Sequence, residues 1–257
     1  MVTPAIHNLR SARRRSATPF EQEEHMLRSI RELQGYGIEA KDGPIGSIRE
    51  MLFHDDRWVI RYLVVDTGKW LPGRKVLISP ISVEAIESAF GRVVLHLDKE
   101  RIRQSPDISA DEPVSRQKEA EFHAYYGYGP YWAGPGVWGP AVYPRELRPL
   151  PHEAWPAAGE RALKGDPHLR STREVIGYHI AASDGTIGHL DDFVIDEALW
   201  TVRHLVVDTS NWPGGRSVLV SPVSVRAIDW VAKQVQVNLP MERIRTSSEY
   251  IPAELLR

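Results

Sequence analysis

Two clusters of histidine and aspartate contain the residue types best suited to bind a metal ion. They are His54 with Asp55 and Asp56, and His189 with Asp191 and Asp192. Imidazole and carboxylate groups are common metal ligands, but neither cluster has the ligand spacing of a known site. On a strand, residues 189 and 191 share one face while 192 points to the other. We therefore expect no dedicated metal site.

Paired Asp and Arg residues are the next candidates, for acid–base chemistry or an ion-paired site. Asp66 and Asp208 follow similar apolar runs, and Arg74 and Arg216 lie eight residues after them. The interpretation we favour is structural: the Asp accepts amide hydrogen bonds in its own turn, and the Arg stem packs on a neighbouring Trp. Asp42 and Asp184 belong to hairpin turns by the same reasoning.

Nucleophiles and phosphate-binding loops are not indicated. Ser79 and Ser221 each precede a proline and lack the Gly-x-Ser-x-Gly pattern of a nucleophile elbow. The glycine-rich stretch 127–139 follows no predicted strand and has no Gly-Lys-Ser/Thr ending. The sequence therefore predicts a protein that is not an enzyme and has no cofactor.

An internal duplication organises the elements that carry these residues. Residues 27–105 align without gaps to 169–247, at an offset of 142, with 38 of 79 positions identical. A period this long exceeds the roughly 20 to 50 residues of solenoid repeats, so we expect each copy to form a small domain.

Short strands are predicted in each copy. In the first, they are separated by turns at Asp42-Gly43 and 55–57 and by a break at Ser79-Pro80, and a helical turn is expected at 98–102. The predicted fold class is all-β: two tandem six-stranded antiparallel barrels, which would leave no exposed edges. The predicted segments are an N-terminal tail (1–26), repeat 1 (27–105), a linker (106–168), repeat 2 (169–250) and a C-terminal tail (251–257).

The linker combines proline and glycine with aromatic residues. A short helix is predicted at 115–123, with Ser115 as its cap. Aromatic rings offset the cost of ordering a chain only when they dock on a surface. We therefore predict that the linker lies across the barrels as an ordered strap.

The chain resembles the PRC-barrel family. The resemblance lies in GYGIEAKDGPIGSI, IRYLVVDTG and KVLISPISV and their second copies. This family includes the cytoplasmic domain of the photosynthetic reaction-centre H subunit and the C-terminal domain of a ribosome-maturation factor. The resemblance implies a barrel that docks on partners. We expect neither of those two roles to transfer, because the sequence predicts neither the H subunit's membrane helix nor the maturation factor's N-terminal barrel.

Composition narrows the classes of partner. The formal net charge is -2 and there are no cysteines, and no apolar run approaches the ~18 to 20 residues of a membrane span. We therefore expect a cytoplasmic protein without dedicated nucleic-acid binding or a membrane span.

These patterns predict a docking or scaffold module for another protein. The chain would pair its two barrels internally or form a homodimer. The candidate interaction surface is aromatic and basic and comprises Trp70, Trp212, Arg74, Arg216, Tyr125, Tyr126, Tyr128, Tyr131, Trp132 and Trp138. For Trp58, Trp200, Trp70 and Trp212 we favour packing in the core or at the barrel mouth, and a recognition surface is the alternative. Two other functions remain open: a small-molecule or metal-ion sensor between the barrels, and an RNA-processing accessory role.

Overall fold

The structure, a computed structural model, describes residues 26–106, 114–148, 169–210 and 214–252. The first half contains β1 (Leu27–Ser29), α1 (Ile30–Leu33), β2 (Gly37–Ala40), β3 (Gly43–His54), β4 (Val59–Asp66), β5 (Lys75–Ile78), β6 (Val83–Glu87), β7 (Arg92–Leu95) and α2 (Lys99–Arg103). The linker contains α3 (Arg116–Tyr126). The second half contains β8 (Leu169–Ser171), α4 (Thr172–Val175), β9 (His179–Ala182), β10 (Gly185–Asp196), β11 (Thr201–Asp208), β12 (Ser217–Val220), β13 (Val225–Asp229), β14 (Gln234–Val237) and α5 (Met241–Arg245).

All the strands of these ranges belong to one mixed sheet. It has 14 strands and runs from β13 to β6 without closing. The predicted pair of closed, six-stranded antiparallel barrels is therefore wrong. The prediction took every neighbouring pair to be antiparallel because the connections are short, but β2 lies parallel to β7 and β9 parallel to β14. These strands are not consecutive in the chain, so short connections do not fix their relative direction.

The two halves also exchange their first strands. β1 pairs with β10 of the second half, and β8 pairs with β3 of the first half. Arg28 of β1 forms an ion pair with Glu197, and at the equivalent position Arg170 Nε lies 3.4 Å from Asp55 Oδ2. The N-terminal strand of each repeat is thus part of the other repeat's half of the sheet.

β4 and β11 join the halves at the centre of the sheet. Ile60 N donates to Trp200 O at 2.8 Å, and the equivalent Val202 N donates to Trp58 O at 2.7 Å. Trp58 and Trp200 have φ angles of 56° and 55°, which large side chains rarely adopt. Because these two hydrogen bonds are reciprocal, the repeats are related by an approximate local two-fold axis where β4 meets β11.

A single apolar core runs through both halves and the linker. It includes Leu63 of β4, Leu205 of β11 and Phe122 of α3. The repeats therefore share one interior, and the linker adds side chains to it.

Candidate interaction site

Residues 114–148, which we call the strap, pack against the first repeat as the ordered-strap prediction required. The hydroxyl of Ser115 accepts a hydrogen bond from Lys118 N and caps α3, which ends where Gly127 adopts a left-handed conformation. The buried residues of α3 are Glu119, Phe122, His123 and Tyr126. Their spacing of three and four residues places them on one helical face, and all of them except Phe122 are titratable. Residues 107–113 and 149–168 of the predicted linker lie outside the described residues.

Glu119 is the centre of a buried polar cluster. Its Oε1 accepts hydrogen bonds from Tyr62 of β4 at 3.0 Å and from Tyr131 at 2.5 Å. Its Oε2 accepts from Arg116 Nη1 at 2.5 Å. Burial raises the pKa of Glu119, and the charge of Arg116 opposes that change. The carboxyl group therefore holds the strap on the sheet through hydrogen bonds that are buried away from water.

His123 is held as a neutral ring in the same cluster. Its Nδ1 lies 3.0 Å from Gly129 O, which can only accept, so Nδ1 carries the hydrogen. Its Nε2 lies 3.3 Å from the Tyr62 hydroxyl. Burial lowers the pKa of His123 to about 3. The single hydroxyl hydrogen of Tyr62 serves either Nε2 or the Glu119 carboxyl, so one proton position links the three side chains.

Arg61 of β4 provides the third anchor of the strap. It is buried, its Nη2 donates to Val137 O at 2.7 Å, and burial lowers its pKa to about 10. The guanidinium carbon lies 3.8 Å from the centroid of the Tyr131 ring and 4.6 Å from that of Trp138. A guanidinium faced by aromatic rings is stabilised by the negative charge of the ring faces. Trp138 Nε1 in turn donates to Leu199 O at 2.8 Å, so the strap also reaches the second half.

The equivalent face of the second repeat lacks such a cover among the described residues. An open groove of about 690 Å³ is present there. It is lined by Asp56, Arg57, Trp58, Val202, Arg203, His204, Ser221, Pro222, Val223 and Val225. Arg203 and His204 are the repeat equivalents of Arg61 and Tyr62. Val223 is 89% exposed, whereas its equivalent Ile81 is 0% exposed.

Two nitrogen-bearing side chains of the groove, Arg203 and His204, differ in their surroundings. The Arg203 side chain is 50% exposed, and its Nε lies 3.8 Å from Asp196 Oδ2. Partial burial, followed by the charge of Arg203, lowers the pKa of His204. The groove thus contains a half-exposed guanidinium and an imidazole whose protonation a nearby carboxylate would favour.

The predicted Asp candidates have structural roles. Gly68 N donates to Asp66 Oδ1 at 3.0 Å, and Ser210 N donates to Asp208 Oδ1 at 2.7 Å, which confirms the turn interpretation. The hairpin-turn residues Asp42 and Asp184 also accept from the first residues of α2 and α5, at 2.8 Å in both repeats.

Arg74 and Arg216, which are equivalent in the two repeats, bind the C-terminal end of α2 and the chain that follows α2 and α5. Arg74 donates to the carbonyl oxygens of Arg103 and Ser105, both at 2.6 Å. Arg216 pairs with Glu249 at 3.1 Å. These contacts fix the ends of the two repeats, and they bring neither arginine to the groove.

The aromatic candidates separate into buried and partly exposed groups. Tyr126, Tyr128, Tyr131 and Trp138 are buried in the core, while Tyr125, Trp132 and Trp70 are partly buried against it. Trp70 lies beneath the cations of Lys99 and Arg103. Trp212 lies outside the described residues. Most of the predicted linker surface is therefore used within the chain.

The two His–Asp clusters also differ from each other. The ligand atoms of His54, Asp55 and Asp56 lie within 4.8 Å of one another, and Asp55 is also paired with Arg170. In the second cluster, Asp191 pairs with Arg31, and Asp192 accepts from Ser29.

Five residues of the site were not predicted from the sequence: Arg61, Glu119, His123 and the groove residues Arg203 and His204. One signal was present: an arginine occurs at the same place within both apolar runs, VIRYLVVD and TVRHLVVD. An arginine inside a buried strand requires a partner. Arg61 lies on the face that the strap covers, and Arg203 lies on the face that forms the groove.

Within the ranges that the structure describes, none of the helices has the length and apolar character required to cross a bilayer. No protein-family model matches the chain, and no curated protein matches it.

Proposed function

We propose that this chain is a non-catalytic docking protein of the cytoplasm whose open groove receives a segment of another protein. The observation that carries the proposal is the difference between the two repeats. The strap buries Ile81 and Arg61, while the equivalent Val223 and Arg203 are exposed beside a groove of about 690 Å³. Pockets of roughly 300 to 1,000 Å³ are typical of binding sites, and exposed apolar side chains at such a site favour binding.

The resemblance to PRC-barrel motifs supports the same function, because docking on partners is the role that it implies. The contacts of the residues considered for chemistry are also consistent with a docking function. Asp66, Asp208, Arg74 and Arg216 are engaged by turns and by the chain after the helices. The buried cluster around Glu119 is used to hold the strap in place.

The absence of cysteine from the chain allows a direct test with single-cysteine variants. Val223→Cys, labelled with a photo-cross-linker and exposed to extract of the source cell, is expected to capture one defined protein. Val231→Cys is the matched control, since Val231 is 97% exposed and lies outside the groove lining. Equal capture at both positions, or capture at neither, would contradict the proposal.

A further inference from the structure

The strap interface provides a template for the occupant of the groove. Arg61 packs against Tyr131 and Trp138, and its repeat equivalent Arg203 lines the groove with its side chain half exposed. Trp138 Nε1 donates to Leu199 O, and the repeat equivalent of Leu199 is Arg57, another lining residue. An aromatic ring on Arg203 with a donor toward the Arg57 carbonyl would reproduce both contacts.

The groove is continuous with the established interface. Arg57 Nη1 already donates to Gly136 O of the strap at 2.7 Å. A segment lying in the groove would therefore run from the edge of the strap toward Val223, across side chains related to those that the strap covers.

The charges of the second repeat favour an acidic occupant. In the first repeat, Glu84 Oε2 pairs with Arg148 Nη1 of the strap at 2.9 Å. The equivalent residue is Arg226, which lines the pocket next to the groove, so the sign of the charge is reversed. Tyr62 donates to the carboxylate of Glu119, and its equivalent is His204, whose imidazole N–H can likewise donate a hydrogen bond to a carboxylate. Two acidic residues also lie here: Asp55, in the adjoining pocket, is already paired with Arg170, and Asp56 lines both the groove and that pocket. Arg57, Arg203 and Arg226 outnumber them, so the lining keeps a positive balance.

From these contacts we infer that the docking segment of the partner carries a tryptophan or tyrosine together with glutamate or aspartate. The inference rests on the docking function proposed above and specifies its ligand. The ring packs on Arg203, and the carboxylates face His204 and Arg226. A second copy of the strap would fit poorly in the same orientation, because its Arg148 would face Arg226 with a charge of the same sign.

Selection from a displayed library of random 12-residue peptides on the full chain tests this chemistry. Peptides that also bind Val223→Glu are subtracted, since that variant places a carboxylate in the groove at an exposed position. The remaining peptides are expected to combine tryptophan or tyrosine with acidic residues. Enrichment of basic or purely aliphatic peptides would overturn the inference but leave the docking function intact. If no peptide is sensitive to Val223→Glu, both proposals fail.

Reversing the charge on each side of the complex tests the inference quantitatively. The affinity of one selected acidic peptide is measured by fluorescence anisotropy. Arg226→Glu is expected to weaken binding at least tenfold, and replacing the acidic residues of the peptide with lysine is expected to restore it. Arg173→Glu is the control, because Arg173 is exposed on α4 and lies outside the groove lining. Equal weakening by both variants would overturn the inference.

The cross-linking experiment distinguishes the other occupants. Attachment of the probe at Val223→Cys to a second copy of the chain, or to residues 149–168 of the same copy, would overturn the assignment of the groove to a separate acidic partner. Attachment to a partner through an acidic, aromatic segment would support it.

Discussion

Ile81 and Val223 occupy equivalent positions in the two repeats, yet Ile81 is 0% exposed under the strap and Val223 is 89% exposed. Arg148 Nε donates to Ile81 O at 3.0 Å, which places the C-terminal end of the strap directly over this position. The strap therefore covers one of two equivalent surfaces and leaves the other exposed. Substitutions at Ile81 and Val223 measure how much burial under the strap adds to the free energy of unfolding.

Ile81→Ala and Val223→Ala are expected to differ sharply in their effect on stability. Removing buried methyl groups at Ile81 is expected to lower the free energy of unfolding by about 2 to 5 kcal/mol. Val223→Ala removes exposed atoms and should change it by less than about 0.5 kcal/mol. Urea denaturation followed by circular dichroism measures both values. Similar losses at the two positions would show that Val223 is covered in solution.

Trp138 is expected to be the largest single apolar contributor in the strap. It is 0% exposed, contacts Arg61 through its ring and donates to Leu199 O. Trp138→Ala should cost about 3 to 5 kcal/mol, because it removes a large buried ring. Trp230→Ala is the matched control at a partly buried tryptophan that packs on the core and should cost less. A smaller loss at Trp138 than at Trp230 would contradict the burial of the strap.

The positions of the elements were largely predictable from the sequence, since local residue types determine them. The Asp42-Gly43 turn predicted the hairpin of β2 and β3, and Ser115 predicted the start of α3. β1 and β8 were missed because three residues containing arginine and serine show no strand-like alternation. Their pairing with the opposite half depends on contacts distant in sequence, which no local pattern encodes.

The candidate site was predictable in part for a similar reason. The aromatic linker indicated a docked strap, and the rings of Tyr131 and Trp138 are indeed buried. Their partner Arg61 could be recognised only after β4 and the strap were placed together. The groove at Val223 depends on the absence of a second strap over the described part of repeat 2, which is a property of the assembled chain.

Gly46 and Gly188 are expected to tolerate no side chain. A Cβ at Gly46 would lie 2.0 Å from Asp66 O, and one at Gly188 would lie 1.9 Å from Asp208 O. Their φ angles of +149° and +61° also favour glycine. Gly46→Ala and Gly188→Ala should each cost about 3 kcal/mol or more through overlap and backbone strain.

Gly37→Ala serves as the control for this pair, since the nearest atom to its Cβ would be 3.9 Å away. We expect it to change the free energy of unfolding by less than about 1 kcal/mol. Thermal unfolding of the three variants tests the comparison. A melting temperature for Gly46→Ala equal to that of Gly37→Ala would show that the space between the backbones of β3 and β4 can hold a methyl group, contrary to this prediction.

His123 is expected to make the fold less stable as the pH falls. Burial lowers its pKa to about 3 from the ordinary histidine value of 6.5, so on acidification the unfolded chain takes up a proton that the folded chain does not. This contribution is fully present above pH 6.5 and decreases toward pH 3, with a loss of about 2 kcal/mol at pH 5. Glu119 has the opposite effect on the pH dependence of stability. Because its pKa is raised in the folded chain, the folded chain binds this proton at a higher pH than the unfolded chain does.

Comparing the wild type with His123→Gln isolates the histidine, since both chains retain Glu119. Urea denaturation at pH 7 and pH 5 should show a loss of stability in the wild type that is about 2 kcal/mol greater than in His123→Gln. His179→Gln, at an exposed position in β9, should lose as much as the wild type. If His123→Gln also lost as much as the wild type, the ring would be protonated in the folded chain. Tyr62 would then have to accept from Nε2 and could donate only to Glu119.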